Sequence, residues 1–276
     1  ASTRLYGGTV TQFSQTIRRF GWSAKFVDFD DLAALEAAVD DDTRAIFCES
    51  IANPGGYITD LDAVGKLADR LGLPLIVDNT SATPWLCRPI EHGATLVVHS
   101  TTKYLTGNGT VTGGCIVDSG RFDWSASGKF PSLSAPEPAY HGLKFHETFG
   151  AMAFTFHSIA IGLRDLGMTM NPQAAHYTLL GIETLSLRME RHVANAVKAA
   201  LAGSIDAAKG TWSGTAFSLK PARAVAARRM RAKTGERARE EHYPAPYRLI
   251  DLWEDHGGDA KSMQQEEIAS FSRLLA

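Results

Sequence analysis

Short, continuous apolar runs alternate along the first half of the chain with stretches in which apolar residues recur every three or four positions. Arg44-Ala45-Ile46-Phe47-Cys48, Leu75-Ile76-Val77 and Thr95-Leu96-Val97-Val98 read as buried strands, and Lys25-Phe26-Val27-Asp28 and Cys115-Ile116-Val117 as further ones. Between them, residues 31–39 read as an alanine- and leucine-rich helix with an acidic start. Residues 60–71 form another, with Leu61, Val64, Leu67, Ala68 and Leu71 at helical spacing. Strands alternating with helices predict an α/β fold with a predominantly parallel sheet flanked by helices. Ligands of such sheets sit beyond the carboxyl ends of the strands, where this chain places Asn53, Asp78 and Lys103.

The pattern changes further on. Residues 121–140 are loop-like, with Pro131, Pro136 and Pro138 among serines. Helical spacing returns over residues 155–166 and 173–201, the second opened by Asn171-Pro172 with proline at the first helical position. Residues 1–201 are expected to form one domain, incomplete at its N-terminus. Residues 202–276 form a basic and then mixed tail without a clear domain. In that tail Lys220, Arg223, Arg228, Arg229, Arg231, Lys233, Arg237 and Arg239 crowd an alanine-rich stretch with few large apolar residues. The run reads as a solvated helix face, because no interleaved aromatics mark a nucleic-acid groove.

Composition narrows the classes. A net charge of -2 gives no reason to expect nucleic acid or an anionic membrane as partner. No apolar run approaches the roughly 20 residues that span a bilayer. The first residues have neither the basic start nor the apolar stretch of a signal peptide, and Cys48, Cys87 and Cys115 read as buried free thiols, so a cytosolic location is expected.

The chemistry lies at the strand ends. Asp78 closes one buried strand, and Lys103 follows another in His99-Ser100-Thr101-Thr102-Lys103-Tyr104. An acid and an amine so placed suit pyridoxal phosphate, whose chemistry uses a covalent lysine partner and an acid at its ring nitrogen. Singly, each has a plainer reading: Lys103 as a surface lysine and Asp78 as a cap or turn carboxylate. Gly107, Gly109, Gly113 and Gly114 lack the Gly-Lys-Ser/Thr ending of a P-loop and read as backbone freedom beside a ligand. His141 with His146, or His92 with His99, have no cysteine or carboxylate at metal-ligand spacing, so no metal site is expected.

Six stretches together resemble one family: Leu5-Tyr6-Gly7-Gly8-Thr9, Cys48-Glu49-Ser50-Ile51-Ala52-Asn53-Pro54, Val77-Asp78-Asn79-Thr80, the Lys103 stretch, Val117-Asp118-Ser119-Gly120-Arg121-Phe122-Asp123-Trp124, and Leu185-Ser186-Leu187-Arg188-Met189-Glu190-Arg191-His192. Residues 1–201 resemble the pyridoxal-phosphate enzymes of cysteine and methionine metabolism, and within them the O-acetylhomoserine sulfhydrylase branch. The resemblance implies the large domain of the aspartate-aminotransferase-like (type I) fold, pyridoxal 5'-phosphate as cofactor and a homo-oligomer, a tetramer in the family. It implies an amino-acid substrate with sulfide or a thiol as co-substrate. Lys103 would bind the cofactor covalently and move protons, and Asp78 would pair with its ring nitrogen. Tyr6 would lie over the ring as a stacking face and proton relay. Ser100 and Thr102 would donate to the phosphate and Asn53 to the ring hydroxyl oxygen. The implied reaction replaces the acetate of O-acetylhomoserine by sulfide; γ-lyase or cystathionine γ-synthase chemistry suits the same scaffold. The family's upstream phosphate-cradling segment, its Tyr-x-Arg segment and its substrate-binding arginine find no match in residues 1–276. The chain alone is therefore expected to be poorly active, or a non-catalytic remnant that associates with a full-length relative.

Overall fold

The structure, a computed structural model, describes residues 1–208, and side chains through Lys198. The basic run and the rest of the expected tail beyond Ala208 lie outside the described residues. Ala1–Met189 forms one compact unit. Its N-terminal stretch runs from helix α1 (Gly7–Thr11) through further helical turns to Phe20, where Gly21 stops it in the left-handed conformation. Then come α2 (Leu32–Ala38), β1 (Ile46–Glu49), α3 (Leu61–Arg70), β2 (Leu75–Asp78), the single turn α4 (Thr83–Leu86), β3 (Leu96–Ser100) and β4 (Gly114–Asp118).

The strands form one sheet in the order β1-β2-β3-β4. β1, β2 and β3 run parallel and β4 closes the edge antiparallel, so the sheet is mostly parallel, as the alternation predicts. Side chains along a strand alternate between faces. Ile46, Cys48, Leu75, Val77 and Val97 accordingly pack with Leu35 of α2 and Leu61, Val64, Leu67 and Ala68 of α3. Ile76 and Leu96 meet the second core, around Trp124, Leu133, Phe145 and Ala153. There Trp124 stacks on Phe154 at 5.3 Å between ring centroids and meets Phe130 edge-on at 5.1 Å.

Helix starts follow the acidic and proline signals. Asp31 Oδ1 accepts from the Ala34 amide at 2.9 Å, and Asp60 Oδ1 from the Ala63 amide at 3.0 Å, capping α2 and α3. Pro172 opens α8 (Pro172–Glu183) while Asn171 Oδ1 accepts from the Gln173 amide. The proline-rich stretch is less loop-like than expected: it holds α5 (Pro131–Ser134) and a short 3-10 turn at Pro138–Tyr140. Beyond it, α6 (Phe145–Phe149) and α7 (Ala153–His157) precede a wide helical turn, Ser158–Asp165.

Three expectations need correction. Of the cysteines expected to be buried, only Cys48 is; Cys87 is half-buried, and Cys115, on the edge strand β4, is exposed. The expected strand at residues 25–28 is a single bridge, Val27 to Ser2, because among the described residues its backbone partners are residues 1–3, of which Ser2 also bonds Phe47 of β1. The expected single helix over 173–201 is two, α8 and α9 (Leu185–Ala208), broken at Thr184. Arg188 supplies the reason. Its Nη2 donates to the Gly181 carbonyl at 2.6 Å, the acceptor that a continuous helix would give to the Leu185 amide.

Candidate functional site

In register, Glu49 at the end of β1 lies opposite Asp78 at the end of β2, and Asp78 lies opposite Val98 of β3. The carboxyl ends of three parallel strands therefore adjoin, and the chain leaving each carries the expected chemistry.

Asp78 is fixed by its own turn: Oδ1 accepts from the Thr80 amide at 2.8 Å. The Thr80 hydroxyl in turn accepts from the Ser100 amide at 2.8 Å, joining the ends of β2 and β3. Between them Asn79, fully buried, accepts from the Ser50 hydroxyl at 2.7 Å and donates to the Cys87 carbonyl at 2.8 Å. His99 lies buried on the neighbouring strand. Burial pushes its pKa down, against a smaller upward pull from backbone and from the charge of Asp78.

Lys103 sits in the turn after β3. Thr101, buried, receives the Thr106 amide at 3.0 Å and the Thr106 hydroxyl at 2.7 Å on its carbonyl. The Gly107 amide returns to the Lys103 carbonyl at 2.8 Å, with Gly107 at φ +89, a conformation that favours glycine. The turn is held from outside by Arg188, which donates to the Tyr104 carbonyl at 2.7 Å as well as to Gly181. Lys103 itself is exposed, and its ammonium takes no hydrogen bond or ion pair among the described residues. The Thr102 hydroxyl accepts from the Gly113 amide at 3.1 Å and donates a long bond of 3.4 Å to the Gly113 carbonyl, one that a stronger acceptor would replace.

Tyr6 and Asn53 are brought together through Glu49. That buried carboxylate accepts from the Tyr6 amide at 2.6 Å through Oε1 and from the Asn53 amide at 2.9 Å through Oε2. Burial raises its pKa, and the two amide bonds oppose the rise. Both side chains so anchored are exposed. The Tyr6 ring lies over Gly8, where a Cβ would come within 2.7 Å of Tyr6 Cε1. The strands thus bring Asp78 and Ser100 together through Thr80, and Tyr6 and Asn53 through Glu49, while Thr102 and Lys103 share one turn. No hydrogen bond joins Lys103 to Asp78.

The model of the Cys/Met metabolism PLP-dependent enzymes matches residues 1–203. The chain belongs to this family. It is 49% identical over 202 residues to a sulfhydrylase (FUB7) of Fusarium oxysporum f. sp. lycopersici, covering 72% of this chain and 47% of the relative. It is 48% identical over 198 residues to the homocysteine synthase of Schizosaccharomyces pombe, covering 71% and 46%. Among solved structures it resembles an O-acetylhomoserine (thiol)-lyase of Campylobacter jejuni, described as putative, that carries a pyridoxyl-lysine monophosphate, with 38% identity and a TM-score of 0.70 over 74% of this chain and 51% of the other. The chain spans about half the length of these relatives. The type I pyridoxal-phosphate fold expected from the motifs is thereby borne out.

The donor set fits the family's cofactor: an unpaired amine, a carboxylate on an adjoining strand end, two hydroxyls and an exposed aromatic ring. Of three residues that hold this set, Thr80 and Arg188 escaped the sequence reading, and Glu49 reads from sequence as a neighbour able to tune the site, without a defined role. Each lies inside a motif stretch, and that was the available signal.

Proposed function

We propose that the chain carries the cofactor-lysine part of an enzyme that converts O-acetylhomoserine and sulfide to homocysteine and acetate. The observation that carries this reading is the placement of Asp78, Ser100 and the unpaired Lys103 at adjoining ends of parallel strands. The relatives' identities as a sulfhydrylase and a homocysteine synthase support the reaction class.

Pyridoxal phosphate, when bound, supplies an electron sink for charge developing at the substrate's α-carbon. The protein's part is to hold and to move protons. Lys103 Nζ would bind the cofactor and then, freed by substrate, take the α-proton. The Asp78 carboxylate would keep the ring nitrogen protonated. The Ser100 and Thr102 hydroxyls would donate to the phosphate, the Asn53 amide to the ring oxygen, and the Tyr6 ring would cover one face. Acetate leaves from the γ-carbon and sulfide takes its place, so the amino-acid skeleton is kept.

A homo-oligomer belongs to the same proposal. Exposed Met152, Phe156, Ile159, Leu163, Leu166 and Met168 lie close in sequence, and such apolar clusters mark association surfaces. A cytoplasmic location is supported by three cysteines that are all free.

The test is an assay of the chain with pyridoxal phosphate, O-acetylhomoserine and sulfide, reading homocysteine by mass spectrometry beside Lys103→Ala. Homocysteine that depends on Lys103 is the expected result. Turnover of cystathionine instead would move the reading to lyase chemistry, and no product from either would favour the non-catalytic remnant.

A further inference from the structure

Glu49 is a buried ionisable group at the site to which the proposed chemistry assigns nothing. It stands at the end of β1, in register with Asp78, and is 5% exposed. Its carboxylate has both oxygens occupied by backbone donors: Tyr6 at 2.6 Å, 43 residues away along the chain, and Asn53 at 2.9 Å. Its own carbonyl receives the Thr59 hydroxyl at 2.7 Å, so the residue is held at both ends. Tyr6 and Asn53 have exposed side chains. Tyr6 begins α1 without a side-chain cap of its own.

We propose that Glu49 is the positioning residue of the site: one buried carboxylate sets the backbone positions from which Tyr6 covers the cofactor ring and Asn53 reaches its oxygen. The inference rests on the proposed cofactor site. A side chain placed by a rigid backbone anchor is delivered where it is needed, and a shift of about 1 Å in such a group is enough to cost rate and affinity. Charge-assisted bonds to backbone amides are the stronger class of hydrogen bond, which suits an anchor shared by two segments. The anchor holds the Tyr6 and Asn53 ends of the site to the strand that pairs with Asp78, so the three cofactor contacts move as one body.

The experiment compares wild type, Glu49→Gln and Glu49→Asp in the full chain. Glutamine has a single acceptor oxygen and turns a donor toward the second amide. Aspartate keeps the charge but is one methylene too short to reach both. Backbone-amide exchange without cofactor is expected to show the Tyr6 and Asn53 amides protected in wild type. At least one of them should exchange about tenfold or more faster in each variant. With pyridoxal phosphate added, the dissociation constant is expected to rise about ten- to hundredfold, with a shifted visible band of the bound cofactor. Amides that stay protected in both variants, or a cofactor band and affinity equal to wild type, would overturn the inference. Loss of cooperative melting in both variants would also overturn it, by assigning Glu49 to folding alone. Failure of the underlying site reading is distinguishable: wild type itself would then take up no cofactor, whatever its amides do.

Discussion

Gly181→Ala is expected to loosen the turn that carries Lys103 and to destabilise the domain. An added Cβ at position 181 would overlap the carbonyl oxygens of Leu105 and Thr106, which are main chain and cannot rotate aside. Overpacking of this kind costs about 1–3 kcal/mol, and contact with backbone places it at the upper end. Alanine gains only about 1 kcal/mol over glycine inside a helix, so the cost wins. Gly162 is the control, because nothing lies within 4 Å of its added Cβ. Gly162→Ala should be neutral or stabilising by up to about 1 kcal/mol. Urea denaturation of the two variants beside wild type measures the contrast. Equal midpoints for both would contradict the close packing of α8 on the Lys103 turn.

Arg188→Ala should cost a comparable amount by a different route. Its guanidinium donates to the Tyr104 carbonyl at 2.7 Å, to the Gly181 carbonyl at 2.6 Å and to the Thr184 hydroxyl at 3.1 Å. Removing the fork takes its donor from the partly buried Tyr104 carbonyl, while the Gly181 carbonyl keeps the Thr184 amide at 3.3 Å. A charge-assisted bond such as that to Tyr104 contributes about 1.5–3 kcal/mol, and the other two add less, because Gly181 keeps that second donor and Thr184 is exposed, so a loss of about 2–4 kcal/mol is expected for the set. For a domain of this size that is a melting-temperature fall of about 5–15 °C. Arg188→Lys should recover little of it, because an ammonium cannot fork across carbonyls on separate segments. Full recovery by lysine would show that charge alone, not the planar fork, holds the turn.

The strands were legible where apolar runs are buried on both faces. Ile46–Glu49, Leu75–Asp78 and Leu96–Ser100 fall on the expected positions, since a parallel strand between helices leaves little choice of residue. Residues 25–28 carry the same local signal and yet form one bridge, because a ladder needs a partner, and partners are a property of the whole chain. The break at Thr184 was hidden for a related reason. Its cause is Arg188 capturing the Gly181 carbonyl, an interaction that apolar periodicity does not record.

At the candidate site, the positions of Asp78 and Lys103 at strand ends were legible because each follows a buried apolar strand. Glu49 was harder to read: a carboxylate beside apolar residues suggests a charge to be explained, and only the folded chain brings the Tyr6 amide, 43 residues distant, onto it. Thr80 is similar. Its hydroxyl bonds the Ser100 amide 20 residues away, a link between strand ends that becomes visible with the register.

Lys103 is the residue proposed to take the cofactor. The most direct measurement incubates the chain with pyridoxal phosphate, reduces it with borohydride and locates the adduct by peptide mass. A single reduced adduct on Lys103, lost in Lys103→Ala, is expected. No adduct, or labelling scattered over the other lysines with Lys103 spared, would contradict it.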